Sequence, residues 1–262
     1  MELDLSTIGG PAATWSLVET PHLGDRINPA EPVIYDIETG PLPDDELASV
    51  LEPFPEYVPL SPDQVKTGNL KDESKIRDKI TQAIAEHREE YHAKKSKHEI
   101  EFRDKAALSP LTGRVLAIGY ATPAGSLVIH GAKEEVLLTQ FWSLFRAMSN
   151  QSVGGLIGWN TVGFDLPFLI RRSWFYDLPI PSDVIGGRYW SKLFVDLMDV
   201  WRLGSKDYVS LDRVSRFFGL GAKNGSGALF HQQWENDRNA ACEYLANDLS
   251  LTLKVAKRLG VV

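Results

Sequence analysis

The sequence predicts an α/β fold in which a mixed five-stranded sheet is flanked by helices, and three observations predict it. Short β-branched runs bounded by turn residues recur along the chain, segments with a 3.6-residue apolar period alternate with them, and one long charged segment interrupts the series after the first strand. The order reads strand, insertion, two strands, helix, strand, helix, strand and two closing helices, as in a layered α/β domain. At 262 residues, 43% hydrophobic and 24% charged, the chain is an ordinary globule, which excludes disorder and fibrous repeats. No apolar run approaches the roughly 18 residues of a membrane span, and Met1-Glu2-Leu3-Asp4-Leu5 carries no signal-peptide pattern, so neither a membrane nor export is expected. The single cysteine, Cys242, permits no internal disulfide and fits a reducing cytoplasm.

Residues 1–32 contain Gly9-Gly10-Pro11 and Pro29-Ala30-Glu31-Pro32 and read as a peripheral lead-in with little regular structure. The main body is expected over 33–262, interrupted by an insertion over 41–110. Val33-Ile34-Tyr35-Asp36-Ile37-Glu38 is the first strand, bounded by Pro32 and Thr39-Gly40-Pro41. Six of the 15 prolines then fall between Pro41 and Pro62, which predicts an irregular wrapped loop without helix or central strand. Ile76, Ile80, Ile84, His87, Tyr91, His98 and Phe102 recur near the helical period, predicting one long helix or two shorter ones over Asp72 to Ala107. Uninterrupted, it would run on the order of 50 Å, so part of it is expected to project or to fold back as a hairpin. Arg114–Tyr120 and Leu127–His130 read as strands, Lys133–Met148 as a helix, Leu156–Trp159 as a strand, Leu166–Trp174 as a helix and Phe194–Leu197 as the last strand. Val209–Phe218 and Asn236–Arg258 are the closing helices.

The net charge of −7 comes from 28 Lys/Arg against 35 Asp/Glu. Of these, 11 basic and 9 acidic residues lie between Lys66 and Lys105, so the acidic excess belongs to the main body, where part of it is available for metals. Asp36 and Glu38 stand two apart on a strand and point to one face, roughly 6.5–7 Å apart, where they repel unless a cation lies between them. In Gly158-Trp159-Asn160-Thr161-Val162-Gly163-Phe164-Asp165-Leu166-Pro167-Phe168, Asp165 opens a helix; taken alone it reads first as an N-cap. Tyr244 and Asp248 stand four apart on one helix face and, taken alone, read as surface decoration or a local hydrogen bond.

Taken in order, Asp-x-Glu-Thr on a strand, Asn-x-x-x-Phe-Asp and Tyr-x-x-x-Asp resemble the three motifs of the DnaQ-like 3′→5′ exonucleases of ribonuclease H-like fold. The likeness is to the branch with four acids and a tyrosine, and within it to the exonuclease domains of family B DNA polymerases and their stand-alone relatives. It covers Val33–Gly40 and about Leu111–Arg258. The sister branch carries histidine five residues before the last aspartate, where this chain has Glu243; Tyr244 places the likeness in the tyrosine branch. The chain departs from the pattern in the roughly 70 residues separating its first two strands, which usually form a tight hairpin.

The resemblance implies that Asp36, Glu38, Asp165 and Asp248 hold two divalent cations, Mg²⁺ or Mn²⁺, with Asp36 bridging both and Tyr244 orienting the attacking water. An oxygen-only ligand set agrees, since hard carboxylates select such ions over zinc. Two ions about 3.5–4 Å apart suit in-line phosphoryl displacement. Thr39, Gly40, Asn160 and Phe164 are the expected contacts to a single-stranded DNA 3′ end, RNA being the alternative strand; for Phe164, core packing weighs equally. Trp159 reads as core. Arg188, Lys192, Lys206 and Lys223 are candidate phosphate contacts, and Lys223-Asn224-Gly225-Ser226-Gly227 reads as a mobile loop near the substrate path. Asp196 and Asp199 read as structural, Cys242 as a buried small side chain, and the six scattered histidines as no metal site. The rival functional class is a non-catalytic nucleic-acid or partner-binding module, with the charged insertion docking a protein partner or a second copy.

Overall fold

A computed structural model describes residues 13–16, 26–131, 133–151, 155–182, 184 and 193–262. The chain divides into two compact units, Met1–Pro41 with Ala107–Val262, and Leu42–Ala106.

The larger unit holds a mixed sheet of order β1-β4-β3-β2-β5-β6, built from β1 (Ala13–Ser16), β2 (Val33–Pro41), β3 (Gly113–Thr122), β4 (Gly125–His130), β5 (Leu156–Gly158) and β6 (Phe194–Asp196). The five strands from β2 onward are the expected ribonuclease H-like set. β2 runs antiparallel to β3, and β5 and β6 run parallel to β2. The sixth strand is a difference from the sequence reading, because the lead-in contributes β1, which pairs in parallel with β4 from Ala13↔Leu127 to Ser16↔His130. Four residues at a sheet edge carry too weak a period to stand out beside the glycines and prolines around them.

Both faces of β2 are covered, which explains its nearly unbroken apolar run. Val33, Tyr35 and Ile37 face a core made with α3 (Glu134–Gln151) and α4 (Asp165–Phe175), centred on Leu137, Phe141, Trp142, Phe145 and Leu169. Ile34 faces the other core, made with α5 (Leu197–Arg202), α6 (Leu211–Phe217), α7 (Phe230–Asn236) and α8 (Arg238–Arg258). Asp36 and Glu38 have the parity of Ile34 and so lie on the α8 side. The predicted closing helix is α8, and a further helix, α7, which the sequence reading did not include, precedes it: Asp237 ends α7 and caps α8, accepting from Ala240 N at 3.0 Å. Sequence reading also missed α5, whose N-cap is Asp196.

The α3–α4 core is tied by a buried ion pair. Arg172 holds Glu134 through Nε and Nη2, the latter at 2.7 Å, and donates to the Pro110 carbonyl at 3.2 Å; Glu134 also accepts from Val115 N at 2.8 Å. This links the last turn of α4 to the start of β3.

In the smaller unit, α1 (Asp44–Val50) corrects the expectation of a helix-free loop. The prolines gather at both ends of that stretch, leaving 44–52 without one, and Pro43 occupies the N-cap ahead of an acidic first turn. α2 (Glu73–Ala106) is one unbroken helix of 34 residues, so no hairpin forms. Its thin apolar stripe is met from within the unit. The segment after α1 has no regular secondary structure and half-buries Phe54, Tyr57 and Leu60 at intervals of three. Phe54 meets Tyr91 and His98 with ring centroids at 5.5 and 5.3 Å, and Tyr57 meets His87 and Tyr91 at 5.6 and 5.0 Å. Tyr91 donates to the Pro55 carbonyl at 3.0 Å. Prolines thus suit the segment, since backbone docked by side chains needs no ladder donors. No helix among the described residues is long and apolar enough to cross a membrane.

Candidate metal centre

The parallel strands β2, β5 and β6 deliver their carboxyl ends to one edge of the sheet, where ligands of open α/β sheets bind. Opposite Asp36 and Glu38, β3 carries only Gly119 and Ala117. A Cβ at Gly119 would lie 2.6 Å from Leu249 Cδ1 and 3.0 Å from Leu245 Cγ, so α8 approaches the sheet closely because that position has no side chain. Tyr244 and Asp248 immediately precede those two leucines and are carried onto the acids of β2. The ladder shifts register between Glu38 and Thr39, where β3 has Leu116 in excess.

Carboxylate oxygens of Asp36, Glu38 and Asp248 all lie within 4.8 Å of one another. Some point then stands within about 2.8 Å of all three, so small rotations bring them to the 2.0–2.6 Å of Mg²⁺ or Ca²⁺ coordination. Asp248 and Glu38 are buried and Asp36 half-buried. Asp165 is not the N-cap of α4. That position is Phe164, and the buried Asp165 carboxyl accepts from Ile37 N at 3.1 Å and lies near enough to Asp36 for each carboxyl to influence the other's protonation.

The electrostatics show what the cluster lacks. Burial pushes the Asp36 carboxyl up to about 7, with repulsion from Asp248 adding to it and Lys223 opposing. Burial and then the Asp36 charge hold Glu38 and Asp165 well above the carboxylate range. Burial also raises Asp248, although the Lys223 ammonium lies 2.5 Å from its Oδ2. One ammonium among four carboxyls leaves a deficit of positive charge, and buried Asp248 Oδ1 has no hydrogen-bond partner. Hard, under-neutralised oxygen ligands of this kind fit a divalent cation. The Tyr244 hydroxyl is likewise buried, with Asp248 and Lys223 as its polar neighbours. Burial and the charges of Glu38 and Asp248 raise its pKa, so it stays protonated at neutral pH.

Lys223, expected from the sequence as a loop residue and candidate phosphate contact, lies against the acids. Its main-chain N–H donates to Asp212 at 2.8 Å, and its ammonium stands 5.4 Å from the Tyr244 ring centroid. The loop beyond it packs on Tyr244. A Cβ at Gly225 would fall 2.9 Å from the Tyr244 ring, and one at Gly227 would fall 3.7 Å from the hydroxyl and 3.9 Å from Glu38 Oε2. Two glycines there mark close approach of backbone to side chain, a signal present in the sequence. Gly119, a glycine inside an apolar strand, was a second such signal.

The expected substrate contacts are dispersed in role. The Thr39 hydroxyl donates to the Ala107 carbonyl at 2.6 Å, and Gly40 packs against Leu116 and His231, where a Cβ would meet Leu116 Cδ1 at 2.5 Å. Asn160 has φ 59°, a left-handed conformation that asparagine tolerates, and turns the chain from β5 toward α4. Phe164 is half-buried, with its ring 5.7 Å from that of Phe168. Trp159 donates to the Val209 carbonyl at 3.0 Å and packs against the second core. Asp196 is structural as expected, accepting from Asn160 N, Val162 N and Met198 N and so fixing the turn that presents Asp165. Burial lifts the Cys242 thiol to about 11, which keeps it unreactive. Lys206 is exposed between α5 and α6, whereas Arg188, Lys192 and His22 lie outside the described residues.

Fold and site define an α/β domain of ribonuclease H-like topology bearing three acids able to hold a metal ion. No family model matches the chain, and no curated protein matches it. Among solved structures it is similar to the family B DNA polymerase from the hyperthermophilic archaeon Pyrobaculum calidifontis. The identity is 20% and the TM-score 0.49 over 60% of this chain, which spans 23% of that polymerase.

Proposed function

We propose that this chain is a divalent-cation-dependent 3′→5′ exonuclease that hydrolyses single-stranded or frayed 3′ ends of DNA to nucleoside monophosphates. The observation that carries the reading is the convergence of Asp36, Glu38 and Asp248 oxygens within 4.8 Å, beside a protonated tyrosine. Asp36, Glu38 and Asp248 hold the cations, with Asp165 steadying Asp36 from its place on α4. The bound ions supply Lewis acidity toward the attacking water and the departing 3′ oxygen. The Tyr244 hydroxyl, a donor at neutral pH, orients the water rather than deprotonating it. Lys223 stays charged, because the neighbouring acids outweigh the opposing effect of burial, and brings a cation to the scissile phosphate. Asp196 fixes the Asn160–Val162 turn, and the Gly225–Gly227 backbone closes one side of Tyr244.

The test is incubation of wild type and Asp36→Ala with 5′-labelled single-stranded DNA and RNA, in Mg²⁺, Mn²⁺ or chelator. A cation-dependent ladder shortening from the 3′ end of DNA, lost in the variant, is the expected result. Preferential shortening of RNA would reassign the sugar, and no cleavage by folded, cation-loaded wild type would transfer the chain to the binding-module class.

A further inference from the structure

One region of this acidic chain carries the opposite charge. Segments 199–221 and 254–262 hold seven Lys/Arg against three Asp/Glu, while the remaining residues hold 21 against 32. Two of the three acids are engaged in ion pairs, Asp199 with Arg202 at 3.2 Å and Asp212 with Arg216 at 2.7 Å. The same segments expose large apolar side chains: Leu203 is 91%, Phe217 72% and Tyr208 67% accessible. The rings of α5 and α6 are contiguous. Trp201 meets Phe217 and Phe218 with centroids at 5.6 Å in each case, Phe217 meets Phe218 at 5.3 Å, and the Arg258 guanidinium lies 5.2 Å over the Phe218 ring.

Aromatic faces interleaved with cations suit a flexible polyanion whose bases stack and whose phosphates pair. Protein interfaces also gather aromatic residues and Arg but are depleted of Lys, whereas these segments carry Lys206, Lys254 and Lys257 as well. The surface also connects to the acid cluster through two elements. On α8, Arg258 follows Tyr244 by fourteen residues, about 40° from it around the axis, and lies about 15 Å beyond Asp248. On α6, Asp212 in the first turn accepts from the main chain of Lys223, whose ammonium pairs with Asp248. A stacked strand covers that distance in roughly four nucleotides at 3.4 Å each.

We propose that the aromatic and basic surface of Trp201, Phe217, Phe218 and Arg258 is a stacking platform for single-stranded nucleic acid, engaging bases a few nucleotides upstream of the terminal phosphodiester. The placement upstream rests on the exonuclease reading; binding by the platform does not. The experiment is fluorescence anisotropy of labelled oligothymidylates of three and twelve nucleotides in chelator, with wild type, Phe217→Ala and Arg258→Ala, their folding checked by circular dichroism. Both side chains are exposed. Each substitution is expected to weaken the twelve-mer about 5- to 100-fold, the range of one lost stack, and to leave the trimer unchanged. No loss, or equal loss at both lengths, overturns the platform, as does a wild-type dimer in sedimentation that Phe217→Ala dissolves, which would give the surface to a second copy. Cleavage in Mn²⁺ separates the two readings. Length-dependent binding without cleavage sinks the exonuclease and keeps the platform, whereas cleavage without length-dependent loss does the reverse.

Discussion

Replacing Asp36 by asparagine removes a charge from the cluster while preserving its shape, and the consequence for stability has a definite sign. Burial and the neighbouring Asp248 move the Asp36 carboxyl from an ordinary 3.8 to about 7. In the folded, cation-free protein its charged form is thereby disfavoured by about 4 kcal/mol, at roughly 1.36 kcal/mol per tenfold. Because the folded pKa lies above the unfolded one, the stabilising proton is fully effective below about pH 4, and its contribution is lost as the pH rises through about 7. Asparagine still buries a polar group, so only the charge-dependent part returns, about 1–3 kcal/mol. At 2–4 °C per kcal/mol for a chain of this size, Asp36→Asn in chelator should melt about 3–10 °C above wild type at pH 8 and gain much less at pH 5. Excess Mn²⁺ should reverse the order at pH 8 by binding the folded wild type. Thermal melts at both pH values, with and without Mn²⁺, read all of this. A variant less stable than wild type at pH 8 in chelator, or an equal Mn²⁺ shift in both proteins, would refute the reasoning.

Tyr244→Phe should lower kcat about 10- to 100-fold with little change in KM in the oligonucleotide assay, since it removes one orienting donor. Gly225→Ala, whose Cβ would meet the Tyr244 ring at 2.9 Å, should slow the wild type yet cost little more in Tyr244→Phe; additive losses in that double-mutant cycle would separate the loop from the hydroxyl. Gly119→Val should wedge α8 off the sheet at Leu249, costing about 1–3 kcal/mol in urea denaturation and weakening the Mn²⁺-induced rise in melting temperature; an unchanged Mn²⁺ response would show that the close approach does not set the cluster. Arg172→Ala should cost about 3–5 kcal/mol by leaving Glu134 buried without its cation, a loss that Glu134→Gln in the same chain should partly restore.

The three motif segments were legible because each is local. Two carboxyls two apart on a strand share a face, and a tyrosine and an aspartate four apart share a helix face, whatever surrounds them. The α/β class and the five principal strands follow from periodicities equally local to the chain. Gly119 and Gly225 were readable as points of close approach, but nothing in the sequence names what approaches. That required α8 packed on β3 and the loop after Lys223 laid against Tyr244.

The fate of Asp165 shows the same boundary. Its position after a turn suggests an N-cap, while its carboxyl instead accepts from Ile37 on a strand 128 residues away. Lys223 looked like one loop lysine among several until tertiary packing set it 2.5 Å from Asp248. The prolines of the insertion predicted an irregular wrapped loop, and only the fold showed that Phe54 and Tyr57 meet His87, Tyr91 and His98 of α2. By itself the sequence determined which side chains share a face, because that depends on backbone geometry within a few residues. The tertiary structure decided which faces meet and how many charges they enclose, because burial and Coulomb interactions depend on distances that chain order does not encode.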